Sequence, residues 1–217
     1  MILEMRAAPP FMKNGFVLGC AETREGVIID PGDDVDDLIT VATDLELSIK
    51  YILLTHAHID HITGVGRAKA IYEDAPIVLH RDDLPLYDAV VEQGRWFGLP
   101  VEPQPPVDIF YGDTPEPFIF GHYEIHSYHT PGHSPGGVCL QVGRAKTIGR
   151  TIIAGDTLFA GSIGRVDLPG GNLATLLRSI RGVLFEFDDD SVVYPGHGDP
   201  TTIGRERQTN PFLTGGA

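Results

Sequence analysis

The chain has 217 residues, 42 % hydrophobic and 21 % charged, with Asp+Glu 30 against Lys+Arg 16 and a net charge of −14. That size and composition fit one globular domain over residues 1–217 and exclude wholesale disorder, while the acidity argues against nucleic acid as a partner. No run approaches the roughly 20 apolar residues of a membrane helix, the opening residues lack the apolar core of an export signal, and two cysteines, Cys20 and Cys139, exclude a disulfide framework, so a cytoplasmic setting is expected.

In chain order, Phe16–Cys20 and Gly26–Asp30 read as a β-hairpin closed by Glu22–Glu25. Asp30-Pro31-Gly32-Asp33 is a turn, and Asp33 or Asp34 can cap a helix carrying Val35, Leu38, Ile39, Ala42 and Leu45 at three- and four-residue spacing. Tyr51–Thr55 reads as a buried strand. The pattern then predicts a helix over Asp60–Glu73, a strand over Pro76–His80 and a helix over Arg81–Trp96. Six prolines between residues 99 and 117, Pro115 among them, predict an irregular connection. Strands follow at Phe118–Phe120, Tyr123–His129, Val138–Val142 and Thr151–Ala154, then a helix over Leu173–Phe187 and a last strand, Val192–Tyr194. Thr214–Ala217 reads as a frayed end. Strands first and helices after, in each half, suggest two sheets packed face to face with helices outside.

The sharpest chemical signal is His56-Ala57-His58-Ile59-Asp60-His61, directly after the apolar strand. Residues two apart in an extended segment face the same way, so His56 and His58 present two imidazoles to one point. Asp60 and His61 sit where the next helix begins and diverge toward a second point close by. One cluster can therefore serve two metals; the bland alternative is a solvated polar loop. Thr130-Pro131-Gly132-His133 and Tyr194-Pro195-Gly196-His197 each deliver a histidine from a Pro-Gly turn after a strand. Ile152–Asp156 ends a buried strand on a carboxylate, which is costly there unless paired or metal-bound. Singly, such residues are more often structural. Five of the nine histidines in three such places, with Asp60 and Asp156, favour a metal centre.

In order and spacing, His56-x-His58-x-Asp60-His61, His133, Asp156 and His197 resemble the metal set of the metallo-β-lactamase superfamily. The resemblance implies an αββα sandwich, in the α/β class, of two facing mixed sheets with a dinuclear site at their edge. It implies that His56, His58 and His133 bind a first metal, that Asp60, His61 and His197 bind a second, and that Asp156 bridges them. Nitrogen and oxygen ligands without thiolate suit two divalent ions, Zn²⁺ first, with Fe or Mn compatible.

Within the superfamily, the bridging Asp156 and the expected lack of an export signal differ from the metallo-β-lactamases. The nucleases usually carry an inserted domain for which there is no room. Flavodiiron reductases place Glu where His58 stands and add a flavodoxin domain. Gly155–Asp167 and Tyr194–Glu206 instead resemble the short glyoxalase-II-like branch, the hydroxyacylglutathione hydrolases. That implies hydrolysis of a glutathione-type thioester such as S-lactoylglutathione by attack of metal-bound hydroxide, oriented by Asp60 and supported by Asp156 as catalytic residues. A thiolate of pKa about 8.5 leaves without much help from an acid, which agrees with the lack of a spare proton donor in any motif; an amide substrate would need one. The C-terminal helical domain that supplies much of the glutathione pocket in the longer enzymes is not expected here.

Lesser candidates keep two readings. Arg165 could pair with a substrate carboxylate or, structurally, with Asp167. Asp30 could support the ligand loop or merely form a turn. Phe159 and Trp96 could wall a pocket or belong to the core. His80, His122, His126 and His129 receive no role. Two rival functions remain: a mononuclear-iron persulfide dioxygenase of the same fold, using His56, His133 and Asp156, and a non-catalytic metal-binding module.

Overall fold

The computed structural model describes residues 1–112, 117–147 and 149–215. Pro115, in the proline-rich connection, and the final Gly216-Ala217 lie outside the described residues.

Two six-stranded mixed sheets form the centre. The first is built from β1 (Ile2–Ala8), β2 (Lys13–Gly19), β3 (Glu25–Ile29), β4 (Ser48–Leu53), β5 (Ile77–Leu79) and β6 (Ile109–Phe110), side by side in chain order. β1, β2 and β3 pair antiparallel; β3 to β6 run parallel. The second sheet uses β7 (Phe118–Phe120), β8 (Tyr123–His129), β9 (Val138–Arg144), β10 (Thr151–Gly155), β13 (Val192–Pro195) and β14 (Thr201–Thr202), in the order β14-β13-β10-β9-β8-β7. Between β10 and β13, β11 (Leu158–Phe159) and β12 (Ser162–Ile163) make a small separate ribbon.

Strand alternation sorts side chains into three apolar layers. Phe16, Leu18, Val27, Ile29 and Leu53 point inward and meet Phe120, Ile125, Leu140, Val142 and Ile153 of the other sheet. Their neighbours Val17, Ile28 and Ile52 point outward, under α1 (Val35–Asp44), α2 (Ile59–Ile62), α3 (Val65–Ile71), α4 (Leu84–Asp88) and α5 (Val90–Phe97). On the far side Cys139, Ile152, Ala154 and Val193 are covered by α6 (Leu173–Gly182) and α7 (Ile203–Thr209). The architecture is the expected αββα sandwich.

Several elements differ from the sequence expectation. β1, for which the sequence pattern predicts no strand, pairs along the whole of β2. The helix expected over Asp60–Glu73 breaks at Thr63-Gly64, where Gly64 is pressed so closely on the Gly32 carbonyl and Val35 that a Cβ would collide. The helix expected over Arg81–Trp96 is a 3-10 turn (Arg81–Asp83), then α4 and α5, with Pro85 in the first turn of α4. The connection holds the short strand β6, and the last helix gives way after Gly182 to a 3-10 turn, Leu184–Glu186. No helix among the described residues is long and apolar enough to cross a membrane.

Candidate metal centre

Every expected ligand lies beyond the end of a strand, in a loop or, for Asp60 and His61, in the short helix α2, and both sheets contribute. His56, His58, Asp60 and His61 follow β4; His133 follows β8, Asp156 follows β10 and His197 follows β13. All are buried except Asp156 and His197, which are partly exposed.

The side chains gather into three overlapping groups that could hold a cation: His56, His58 and His133; His56, His61 and Asp156; and Asp60, His61 and His197. In the first, His133 Nε2 lies 2.8 Å from His58 Nδ1 and 3.2 Å from His56 Nε2. Nitrogens sharing one tetrahedral cation lie about 3.3 Å apart, so this spacing matches a shared ion. In the third, His197 Nε2 is 3.1 Å and His61 Nε2 is 3.7 Å from Asp60 Oδ2. Asp156 stands between them: Oδ1 is 3.4 Å from His61 Nε2, and Oδ2 is 3.5 Å from both His133 Nε2 and His197 Nε2.

Surrounding hydrogen bonds aim the rings. His133 Nδ1 donates to the Arg165 carbonyl at 2.7 Å, leaving Nε2 to face the centre. Thr55 Oγ1 donates to Asp30 Oδ2 at 2.6 Å, so it accepts from His56 Nδ1 at 3.2 Å, and His56 Nε2 points inward. His61 Nδ1 donates to Asp30 Oδ2 at 2.9 Å. Asp30 also accepts the Thr55 amide at 2.7 Å. It occupies the left-handed region (φ 50°), which Asp tolerates better than most residues; this turns a wholly buried carboxylate onto the ligand loop. Asp30 therefore supports the centre rather than simply forming a turn. Deleting a Cβ also matters: one at Gly196 would run into the Asp156 carboxylate.

The electrostatics fit cations. Burial pushes His56 well below the usual imidazole range and His58 down to about 3, with His133 adding to the latter, so both rings are neutral acceptors. Burial works against charge on His61, but Asp60, Asp30 and Asp156 outweigh it and hold it up at about 10. Burial likewise opposes ionisation of Asp156, and His61 outweighs it, so the carboxyl titrates well below the ordinary range. His61 Nε2 and Asp156 Oδ1 are buried without a hydrogen-bond partner. Buried polar atoms left this way are costly; inward-facing imidazoles, carboxylates and orphaned donor atoms are a set that divalent cations complete.

Three supporting residues escaped the sequence reading. Asp83 accepts from the Ala57 amide (2.9 Å), Ser134 Oγ (2.8 Å) and the Gly136 amide (2.5 Å), tying the first ligand loop to the His133 loop. Gln93 Oε1 accepts from the Ile59 amide at 3.0 Å, and its Nε2 donates to Ala57 and Leu86 carbonyls. Asn14 Nδ2 donates to the Pro195 and Gly198 carbonyls, fixing the turn that carries His197. Asp83 and Gln93 were absorbed into a helix pattern, and nothing local marks them.

Above the centre lies a cleft of about 160 Å³, whose wall includes Phe11, Trp96, Arg165 and Leu168. Trp96 is thus a wall residue, while Phe159 stands edge-on to His197 with ring centroids 6.2 Å apart. Arg165 reaches the cleft but its Nε and Nη2 both donate to Asp167 at 2.7 Å. His80 and His129 stack on each other away from the centre, and His122 and His126 each face a glutamate at the surface.

Residues 8–197 match the profile of the metallo-beta-lactamase superfamily. The chain belongs to that superfamily. A relative of this superfamily member, hydroxyacylglutathione hydrolase GloC of Haemophilus influenzae, is 33 % identical over 98 % of this chain and 98 % of its own length. The crystal structure of BLEG-1 B3 metallo-beta-lactamase superposes with a TM-score of 0.87 at 35 % identity, covering 98 % of this chain and all of that one (100 %). The crystal structure of TTHA1623 in a di-iron-bound form does so with a TM-score of 0.81 at 36 % identity, over 97 % of this chain and 100 % of the other. The superfamily is generally hydrolytic, and a metal-dependent hydrolase acting on a small molecule accommodates the buried His/Asp cluster beneath an open cleft.

Proposed function

We propose that this protein hydrolyses a glutathione-type thioester, such as S-lactoylglutathione, at a dinuclear centre. The observation that carries the reading is Asp156, whose two oxygens face both ligand groups at 3.4–3.5 Å; a carboxylate so placed could serve two cations. His56, His58 and His133 would hold the first, Asp60, His61 and His197 the second, with Asp156 common to both. Nitrogen and oxygen donors favour Zn²⁺, and the di-iron form of TTHA1623 keeps iron as the next choice. When bound, such a pair supplies a water of lowered pKa and a Lewis acid for a carbonyl oxygen.

The chain's own residues then divide the work. His56 and His133, each held in one tautomer, by Thr55 and by the Arg165 carbonyl respectively, would with His58 hold the first position. Asp60, 12 % exposed at its side chain and open to the cleft, is placed to accept a hydrogen bond from the attacking water and orient it. Among the described residues no lysine, tyrosine or glutamate lines the cleft to protonate a leaving group, which suits a thiolate and not an amine. The GloC relative supports the thioester class.

The test is a substrate panel on metal-replete protein, run beside elemental analysis. Two metals per chain and thiol release from S-lactoylglutathione are expected. One iron per chain with oxygen uptake on glutathione persulfide would establish a dioxygenase instead, and turnover confined to a β-lactam, lactone or phosphoester would refute the thioester assignment.

A further inference from the structure

The apolar wall of the cleft over the centre comes from four separate segments. Phe11 comes from the β1–β2 turn, Leu86 from α4, Trp96 and Phe97 from the end of α5, and Leu168-Pro169 from the loop after β12. Phe11 and Phe97 meet edge to face with centroids 5.3 Å apart, so the wall is a packed surface. Gly98, in the left-handed conformation (φ 69°), ends α5 immediately beyond Trp96 and Phe97 and leaves both at the rim. They are 53 % and 43 % exposed. Large aromatic side chains left open beside a polar centre mark a place where an apolar group is bound.

The polar groups of the same wall are already committed. Gln93 spends both ends of its amide on the backbone of the ligand loop and α4. Arg165 is the one Lys or Arg lining the cleft among the described residues, and Asp167 neutralises it through two hydrogen bonds. The tripeptide of a glutathione thioester carries two carboxylates and an ammonium. Neither carboxylate meets an unpaired arginine or lysine among the described residues of the cleft, and desolvating the tripeptide's charges against Trp96, Phe97 and Leu168 would be unfavourable. The half of the substrate that the cleft accepts is therefore the other one.

Resting on the thioesterase reading, we infer that this cleft holds the acyl side of the thioester and selects an apolar acyl group, aromatic or medium-chain aliphatic, over a short hydroxyacyl group. Trp96, Phe97 and Leu86 act as specificity residues, while the peptide of the thiol carrier extends into solvent. Each buried methylene contributes about a fourfold gain in affinity, so a six-carbon chain has a clear advantage over two carbons even if half of it stays wet.

Two measurements on the same protein test this. In the first, kcat/KM of the metal-loaded enzyme is compared for S-acetyl-, S-lactoyl-, S-hexanoyl- and S-phenylacetylglutathione. The hexanoyl or phenylacetyl ester should exceed both short esters by at least tenfold, and Trp96→Ala should shrink that ratio at least fivefold through KM. In the second, the emission of Trp96, the chain's one tryptophan, is titrated with the non-hydrolysable thioethers S-hexylglutathione and S-methylglutathione. The hexyl compound should bind at least ten times more tightly. Thioester turnover with S-lactoylglutathione equal to or above the apolar esters, and equal thioether affinities, would overturn the acyl assignment while leaving thioester hydrolysis standing. Preferential binding of the hexyl compound without cleavage of any thioester would uphold the apolar site and refute the reaction.

Discussion

Two carboxylates carry most of the centre's design. Among the described residues Asp156 is the carboxylate within reach of both sets of imidazoles, so Asp156→Asn replaces a charged oxygen by an amide NH₂ facing His61, His133 or His197. That variant should lose turnover and hold fewer than two metals per chain by elemental analysis; near-normal activity would refute the bridging role. Asp30 touches no metal position and works through His61. Its Oδ2 accepts from both His61 Nδ1 and Thr55 Oγ1, and Oδ1 accepts the Thr55 amide. Asp30→Asn preserves size but sets an NH₂ against one of these donors. Losing an outer partner of this kind costs about 10–100-fold in metal affinity, to be read by chelator competition; an unchanged affinity would mean that the backbone alone orients His61. The residues proposed as ligands are legible because their chemistry forces a rare pattern on the sequence. Asp83, Gln93 and Asn14 are not, because a side chain that binds distant backbone leaves no local mark.

At the scale of elements, continuous apolar runs made β2, β3 and β4 readable, since each buries both faces against different layers. β1 was missed because its residues are half-buried on both faces and show no alternation. The breaks in the helices after β4 and β5 were missed because periodicity runs on through Gly64, whereas its contact with the Gly32 carbonyl is tertiary. The ends of β5 and β8 reach each other across the two sheets through His80 and His129, whose rings stack at 4.0 Å and 13°. Burial, then the neighbouring His129, push His80 below the ordinary imidazole value, although Asp82 pulls the other way. Because the folded pKa is depressed, the unfolded chain binds the extra proton first; this contribution to stability is full above pH about 6.5 and is lost as pH falls through the folded value. An NMR titration should place the His80 midpoint below that of a free imidazole, and His129→Asn should move it part of the way back. A His80 midpoint indifferent to His129 would mean that burial alone sets it.

For the molecule as a whole, the centre is a clasp between two sheets. One candidate ligand segment follows β4 in the first sheet, and three follow β8, β10 and β13 in the second, so cations bound there would cross-link the layers as well as serve chemistry. A ligand that binds the folded state alone adds about 4 kcal/mol at a thousandfold excess over its Kd, and a domain of this size answers by about 2–4 °C in Tm per kcal/mol. Stripping the metals exposes His61 and His197 to protonation beside Asp60 and Asp156, which restores part of that attraction. The net drop in Tm on chelation should therefore be about 10 °C or more, less than two full binding energies would give. His61 also fixes how the drop varies. Its folded pKa is raised to about 10, so in metal-free protein its stabilisation is complete below the unfolded value near 6.5 and disappears as pH climbs through 10. Scanning calorimetry should thus find the gap between loaded and stripped protein wider at pH 9 than at pH 6.5. Superimposable melting curves with and without chelator would show that the two sheets hold together without the clasp, and that the centre binds its metals too weakly to serve as a resident catalytic site.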